Sequence, residues 1–177
     1  MPRAPGQVDA LKSAAILQAA SDLFVEKGAG ASMTEIARRA GVSKQTLYNR
    51  FPTKIDIARA LAAQRSDAVT APLKSGAAPE AVLAAIAETL ITKICREGKG
   101  ASLRGVALMS PEAPELARAI YDAGPGESVR RIAAWLAEQD RLGLLSVPDP
   151  VAAAEMFSGM VLGHGHLRSV LGLPHPH

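Results

Sequence analysis

The stretch Thr34-Glu-Ile-Ala-Arg-Arg-Ala-Gly-Val-Ser-Lys-Gln-Thr-Leu-Tyr-Asn-Arg-Phe-Pro-Thr-Lys54 decides how the first third of this chain folds. Ala37 is small, so two short helices can approach each other closely at this point. Gly41 tolerates the backbone angles of a tight turn between them. Leu47 can then fill the space between the two helices. This spacing predicts a helix-turn-helix.

Capping residues mark the ends of the predicted helices. Ser32-Met-Thr-Glu35 reads as a capping box, in which a hydroxyl and a carboxylate satisfy free amides at a helix start. Ser43 can cap the next helix, and Pro52 ends it because proline disfavours helical geometry in the residue before it. Thr53-Lys-Ile-Asp56 resembles a second capping arrangement and predicts a further helix toward Ser66. These signals place the turn between two well-defined helices.

The exposed face of the helix over residues 44–50 suits a DNA groove. Glutamine and asparagine amides can pair with adenine, and lysine can donate to guanine or to phosphate. A threonine methyl can contact the methyl of thymine, and a tyrosine hydroxyl can reach phosphate. The alternative is a helical hairpin with a solvated polar face. The residues concerned are Lys44, Gln45, Thr46, Tyr48 and Asn49.

Charge is unevenly distributed along the 177 residues. Residues 1–60 contain nine lysines and arginines and five acids, a net charge of +4. Residues 61–177 contain 11 basic and 12 acidic residues, a net charge of −1. Such asymmetry favours contact between the first third and a polyanion. The alternative is that the surplus cations only keep a surface solvated.

Composition excludes several other classes of protein. Aromatic residues make up 3% of the chain, and the apolar content is mainly Ala, Leu, Ile and Val, which favours packed helices. The single cysteine, Cys95, forms no intrachain disulfide and no cysteine-cluster metal site. His164 and His166 lie about 200° apart around a helix, so they cannot share one ion. We therefore expect no metal, no cofactor, no membrane partner and no enzymatic activity, and a cytoplasmic protein.

Residues 9–65 closely resemble the DNA-binding domain of the TetR/AcrR family of bacterial transcriptional regulators. The resemblance runs through residues 16–28, 32–37 and 40–48 and ends at Phe51-Pro-Thr-Lys54. It implies an all-α fold: a three-helix head at residues 1–56, with a tail at residues 1–8, joined to a helical body at residues 57–177. It also implies a homodimer on a palindromic operator, usually a repressor that a small ligand releases.

The resemblance also implies roles for individual residues of the head. Thr34 and Lys54 correspond to phosphate contacts at the starts of the second and fourth helices. The recognition helix would contact DNA through Lys44, Gln45, Thr46, Tyr48 and Asn49. The core of the head would contain Phe24, Ile36, Leu47 and Phe51.

The body carries weaker signals. Prolines and glycines mark the ends of helices, and their positions predict helices over about 79–97, 101–109, 114–122, 127–142 and 150–171. The string Pro114-Glu-Leu-Ala-Arg-Ala-Ile-Tyr-Asp-Ala-Gly-Pro125 resembles the regulatory domain of a large subset of the family. A body of short amphipathic helices can enclose an apolar ligand pocket. The candidates for the pocket wall are Cys95, Met109, Tyr121, Trp135, Phe157 and Met160. Each of them could instead be an ordinary residue of the hydrophobic core.

The last predicted helix is apolar on more than one side. This pattern favours a helix that packs one face against the core of its own subunit and another against a partner subunit. The candidates for a dimer interface are Ser158, Gly159, Gly163, Leu167 and Leu171. The alternative is a central helix buried within one subunit. Members of the family generally add another long helix after this point, so either a further helix is missing from this sequence or the dimer uses fewer helices.

Three other functions stay open on the sequence alone. One is a helical interaction module whose basic head binds DNA non-specifically. Another is an activator without small-molecule control. The third is an enzyme acting on a hydrophobic substrate in the body, although no phosphate-binding loop or nucleophile elbow is present.

Overall fold

The computed structural model describes residues 5–92, 106–107 and 110–173, and within these ranges the chain is helical and contains no strand. Two short 3-10 helices, Gly28–Gly30 and Ala71–Lys74, follow α1 and α4. The α-helices are α1 (Pro5–Lys27), α2 (Met33–Arg39), α3 (Lys44–Arg50), α4 (Lys54–Thr70), α5 (Pro79–Leu90), α6 (Pro114–Ala123), α7 (Pro125–Arg141) and α8 (Pro150–Leu171).

The head packs α1, α2, α3 and the start of α4 around one core. Its fully buried side chains are Ile16, Leu23, Ile36, Leu47 and Ile57. Phe24 and Phe51 are partly buried and pack against this cluster, so the four core residues that the resemblance implied lie where it placed them.

Local capping explains where the helices of the head begin. Ser32 Oγ accepts a hydrogen bond from Glu35 N at 3.2 Å, and the Glu35 carboxylate accepts one from Ser32 N at 3.0 Å. Thr53 and Asp56 form the same reciprocal pair at the start of α4. Gly41 has φ +66°, a left-handed conformation that favours glycine, and it turns the chain between α2 and α3. The predicted caps and turn are confirmed.

The body packs α4, α5, α7 and α8 around a second core, whose most buried members are Val69, Val82, Ile86, Ile132 and Ala154. Helix α4 therefore passes from the core of the head to the core of the body. A third, small cluster joins the two regions, where Ala58 of α4 meets Leu116 of α6.

Polar contacts also hold α4 against α7. Ser128 Oγ lies 3.1 Å from Ser66 Oγ in a buried contact. Arg131 donates to Asp67 Oδ1 at 2.6 Å and to Thr70 Oγ1 at 3.1 Å. The hydrogen bond to Asp67 is the main reason why the pKa of Arg131 is raised. The second half of α4 is thus fixed to the body by both apolar and polar contacts.

Several predicted boundaries are wrong. Helix α1 begins at Pro5, within the predicted tail at residues 1–8, and α4 continues to Thr70 because Val69 extends its buried face into the body core. The last helix is interrupted at Gly163, whose φ of 46° and ψ of −149° are not helical. The predicted helix over 101–109 and the end of the one over 79–97 lie outside the described residues, apart from residues 106–107.

Candidate nucleic-acid interface

Helix α3 turns one side into the head and the other to solvent. Leu47 is fully buried, whereas Tyr48 is 45% exposed. Lys44, Gln45 and Asn49 are also exposed, and Thr46 is half-buried. The five predicted recognition residues therefore occupy the solvent side of one short helix, with Thr46 at its edge.

Hydrogen bonds within α3 orient some of these side chains. Gln45 Nε2 donates to Asn49 Oδ1 at 2.7 Å, which holds two amides side by side. Ser43 Oγ, which caps the helix by accepting from Thr46 N at 3.0 Å, also lies 2.9 Å from Thr46 Oγ1. The spacing of four residues between Gln45 and Asn49 could have predicted the amide pair from the sequence.

The two predicted phosphate contacts lie in different surroundings. Thr34 is exposed in the first turn of α2. Lys54 is half-buried and donates from Nζ to the carbonyl oxygen of Ala31 at 3.2 Å, which ties the start of α4 to the loop before α2. Both residues lie in the first turn of a helix, where free amides attract phosphate.

Ion pairs connect α1 to α2. Lys27 pairs with Glu35 of α2, and Arg39 binds the Glu26 carboxylate through two nitrogens at 2.6 and 3.0 Å. The Lys27 ammonium, with the Ser32 amide and hydroxyl, lowers the pKa of Glu35 to about 2. These pairs hold α2 in a fixed position on α1.

Arg50, at the end of α3, is a residue that the sequence did not single out. Its guanidinium pairs with the Asp9 carboxylate and donates to the Asp9 carbonyl oxygen and to Ser13 Oγ, both at 2.8 Å. Arg50 therefore fixes α3 to the first turns of α1 and is not a free cation on the recognition face. No local signal could have revealed it, since the partners are about 40 residues away in sequence.

Each helix of the helix-turn-helix carries an exposed cation without an ion pair among the described residues. Arg38 on α2 and Lys44 on α3 are exposed and form no ion pair within the ranges that the structure describes. The surface thus presents uncompensated positive charge beside the amides and the phenol of α3, which is a combination suited to phosphate and base edges.

The four predicted pocket residues that the structure describes differ in their exposure. Tyr121 on α6 and Met160 on α8 are exposed, whereas Trp135 and Phe157 are half-buried and pack against the body core. Cys95 and Met109 lie outside the described residues. A role for these six in ligand binding stays a prediction.

The predicted dimer residues lie on α8, where an apolar face is open to solvent. Leu167 and Leu171 are exposed, as are Gly159 and Gly163, while Ser158 is half-buried. Two more exposed apolar side chains of α8 were not among the predicted interface residues: Met156 is 73% exposed and Met160 is 78% exposed.

Two other features bear on the class of protein. Of the helices in the described ranges, none combines the length and apolar character that a membrane crossing requires. In that same part of the chain, metal-ligating side chains form no group of three or more that could hold an ion.

A helix-turn-helix head with a cationic recognition face, joined by one continuous helix to a separate helical body, defines a transcriptional regulator rather than an enzyme. Residues 16–61 match the model of the bacterial regulatory proteins of the tetR family. Residues 81–177 match the C-terminal domain of AefR-like transcriptional repressors. The chain belongs to the TetR family of transcriptional regulators.

Solved structures and a curated relative agree with this assignment. A TetR-family regulator from Mesorhizobium loti MAFF303099 is 28% identical, with a TM-score of 0.75 over 96% of this chain and 88% of that one. The flavonoid-responsive regulator FrrA is 33% identical, with a TM-score of 0.67 over 92% and 85% of the two chains. The transcriptional activator FasR of Mycolicibacterium smegmatis is 51% identical over 43 residues, which are 24% of this chain and only a fifth of the FasR length.

Proposed function

We propose that this chain is a ligand-responsive, dimeric repressor that binds a palindromic operator through α3. The observation that carries the proposal is the polar, cationic face of α3, which is exposed directly opposite the buried Leu47. In this proposal residues 1–56 form the DNA-binding domain and residues 57–177 the regulatory and dimerisation domain of a cytoplasmic protein.

The recognition helix would lie in the major groove. Lys44, Gln45, Thr46, Tyr48 and Asn49 would contact bases and phosphates there. The paired amides of Gln45 and Asn49 support this role, because their mutual hydrogen bond reduces the freedom that either would lose on meeting adenine. Thr34 and Lys54 would contact the flanking phosphates, each from the first turn of a helix.

The dimer would form through the exposed apolar face of α8. Met156, Met160, Leu167 and Leu171 are each more than half exposed, and an apolar helix face of this extent is typical of an interface. A two-fold dimer would present two copies of α3 to half-sites about 34–36 Å apart, or a multiple of that distance.

Release from DNA by a small hydrophobic effector is the third part of the proposal. The flavonoid-responsive FrrA, one-third identical over most of both chains, supports a small organic effector. Such a ligand shifts the protein away from the operator only if it binds the DNA-free conformation more tightly than the bound one.

The proposal is tested by fluorescence anisotropy on a labelled palindrome from the region upstream of the gene, with random duplex DNA as competitor. We expect the palindrome to resist competition and a flavonoid or related effector to release it. Equal competition by random DNA would favour an interaction module with non-specific DNA affinity instead.

Activation is a second candidate because FasR, the relative that is 51% identical over 43 residues, is an activator. In vitro transcription from a template carrying the operator decides between the two. A repressor lowers the amount of transcript, and an activator raises it.

A further inference from the structure

The exposed surface of α2 is divided into two edges that differ in charge. Residues four apart lie on the same side of a helix, so Glu35 and Arg39 share one edge of α2. Both side chains form ion pairs with α1, Glu35 with Lys27 and Arg39 with Glu26. This edge therefore faces α1, and its charges are compensated by residues of the same chain.

The second edge of α2 carries Thr34 and Arg38, which are also four residues apart and are both exposed. Arg38 points about 100° around the helix from Arg39, because each residue turns an α-helix by that angle. In the part of the chain that the structure describes, the Arg38 guanidinium forms no ion pair and no hydrogen bond. Of two neighbouring arginines, one is thus neutralised by Glu26 and the other presents its full charge to solvent.

The place of α2 in the head indicates what could neutralise Arg38. In a helix-turn-helix on DNA, the second helix enters the major groove and the first helix crosses the phosphate backbone. Here α2 is the first helix, and its Ile36 and Ala37 are buried in the head core. With the Glu35–Arg39 edge already against α1, the Thr34–Arg38 edge is the side of α2 that is open to a DNA strand crossing it.

A phosphate is the group that suits this edge. A guanidinium binds phosphate oxygens through two parallel N–H donors, and a threonine hydroxyl can donate to a third oxygen. Arg38 lies one turn beyond Thr34, about 6 Å further along the helix axis. The two side chains can therefore follow the backbone of one strand while α3 contacts the bases.

We propose that Arg38 binds a backbone phosphate of the operator, so that Thr34 and Arg38 form a phosphate-binding edge on α2. The inference rests on the proposed function, because α2 meets the backbone only when α3 lies in the groove. Arg38 then contributes affinity for any DNA sequence and fixes the position of α3 without choosing bases. The competing role for Arg38 is purely structural, since a cation in the last turn of a helix also stabilises the free carbonyls there.

Fluorescence anisotropy at several salt concentrations tests the contact, on a labelled palindrome from the upstream region and on a random duplex. R38M keeps most of the side-chain length and removes the charge. We expect it to lower the affinity for both duplexes by about tenfold for each bound subunit. The slope of log affinity against log salt should fall by about one for each subunit, because one phosphate contact is lost.

Two further variants serve as controls. R38K retains the charge and should restore the slope, while it recovers only part of the affinity because an ammonium cannot bind phosphate through two parallel donors. R118M removes an exposed arginine of α6 in the body and should change neither affinity nor slope. Thermal unfolding of each variant measures any separate effect on stability.

An unchanged slope and affinity in R38M, with wild type bound, would overturn the Arg38 contact and leave the proposed function standing. A lower unfolding temperature with an unchanged slope would assign Arg38 to the structural role and also overturn the contact, as would a loss restricted to the palindrome. If wild type fails to prefer the palindrome, the proposed function fails, whereas the slope on the random duplex still decides the phosphate contact. Both proposals fail if wild type binds neither duplex.

Discussion

The head packs around its own core, and ion pairs join its helices to one another. The body, in contrast, leaves a broad apolar face of α8 open to solvent. In the head, Lys27, Arg39 and Arg50 each join α2 or α3 to α1 through a carboxylate. In the body, α8 covers the core with one side and exposes Met156 and Met160 on the other. The contrast supports the proposal that the body, and not the head, forms the contact between two subunits.

The largest expected effect comes from a change in the core of the head, and it should leave the core of the body intact. Leu47→Ala removes a fully buried side chain of the head and should cost about 2–5 kcal/mol, because a cavity remains in place of the lost contacts. We expect operator binding to disappear while the dimer persists in analytical ultracentrifugation. The matched change Leu136→Ala, in the body core, should impair dimerisation as well. Equal effects of the two variants on DNA binding and on the dimer would contradict the independence of the head.

The next effect concerns the open face of the body. Met160→Asp should dissociate the dimer, since a charge buried without a partner costs about 3–5 kcal/mol. Sedimentation equilibrium measures the dimer, and anisotropy measures the resulting loss of operator affinity. Val25→Asp makes a similar change at an exposed apolar residue of the head and serves as the control. A Met160→Asp protein that remains a dimer would show that α8 is not the interface.

Changes on the recognition face should weaken binding without disturbing either core. Lys44→Ala and Tyr48→Ala each remove an exposed side chain of α3, and each lost base or phosphate contact should cost about 1–3 kcal/mol. Anisotropy should therefore show affinities lower by one to two orders of magnitude. Lys74→Ala, an exposed lysine at the end of the Ala71–Lys74 turn, is the control. Undiminished binding by both α3 variants would refute the assignment of this helix.

A smaller effect should distinguish backbone contacts from base contacts. Lys54→Ala is expected to weaken binding to the palindrome and to random DNA alike. The slope of log affinity against log salt should fall by about one, because one phosphate contact releases about one counter-ion. Since Lys54 also donates to the Ala31 carbonyl, thermal unfolding of the variant must be measured beside its affinity. A loss restricted to the palindrome would contradict a phosphate role.

The smallest effect is the pH dependence that Glu35 of the head gives to stability. The folded protein lowers the pKa of Glu35 from 4.5 to about 2, so this carboxylate stabilises the fold above pH 4.5 and loses that contribution as the pH falls toward 2. Thermal unfolding should show Glu35→Gln less stable than wild type at pH 6 and nearly equal to it near pH 2.

The sequence predicted the parts of this molecule that depend on neighbouring residues. The caps at Ser32, Ser43 and Thr53, the turn at Gly41 and the exposed side of α3 follow from spacings of a few residues, and the structure confirms them. Membership of the TetR family followed from the same local strings.

Features that depend on distant contacts were not predicted. The partners of Arg50 in α1 are about 40 residues away, so no helical spacing relates them. The contact between Ser66 of α4 and Ser128 of α7 joins residues 62 positions apart, and only tertiary packing brings them together. The interruption at Gly163 was missed because a glycine within a helical pattern is usually accommodated without a break.

The interruption at Gly163 also bears on how two copies could fit together. With φ at +46°, this glycine divides α8 into two helical segments at a kink. The first segment carries the exposed Met160 and the second carries the exposed Leu167. A side chain at this position would be strained, so Gly163→Ala should change the angle between the segment that carries Met160 and the segment that carries Leu167. In the proposed dimer, the bend at Gly163 would therefore determine how these two segments of α8 meet the partner subunit.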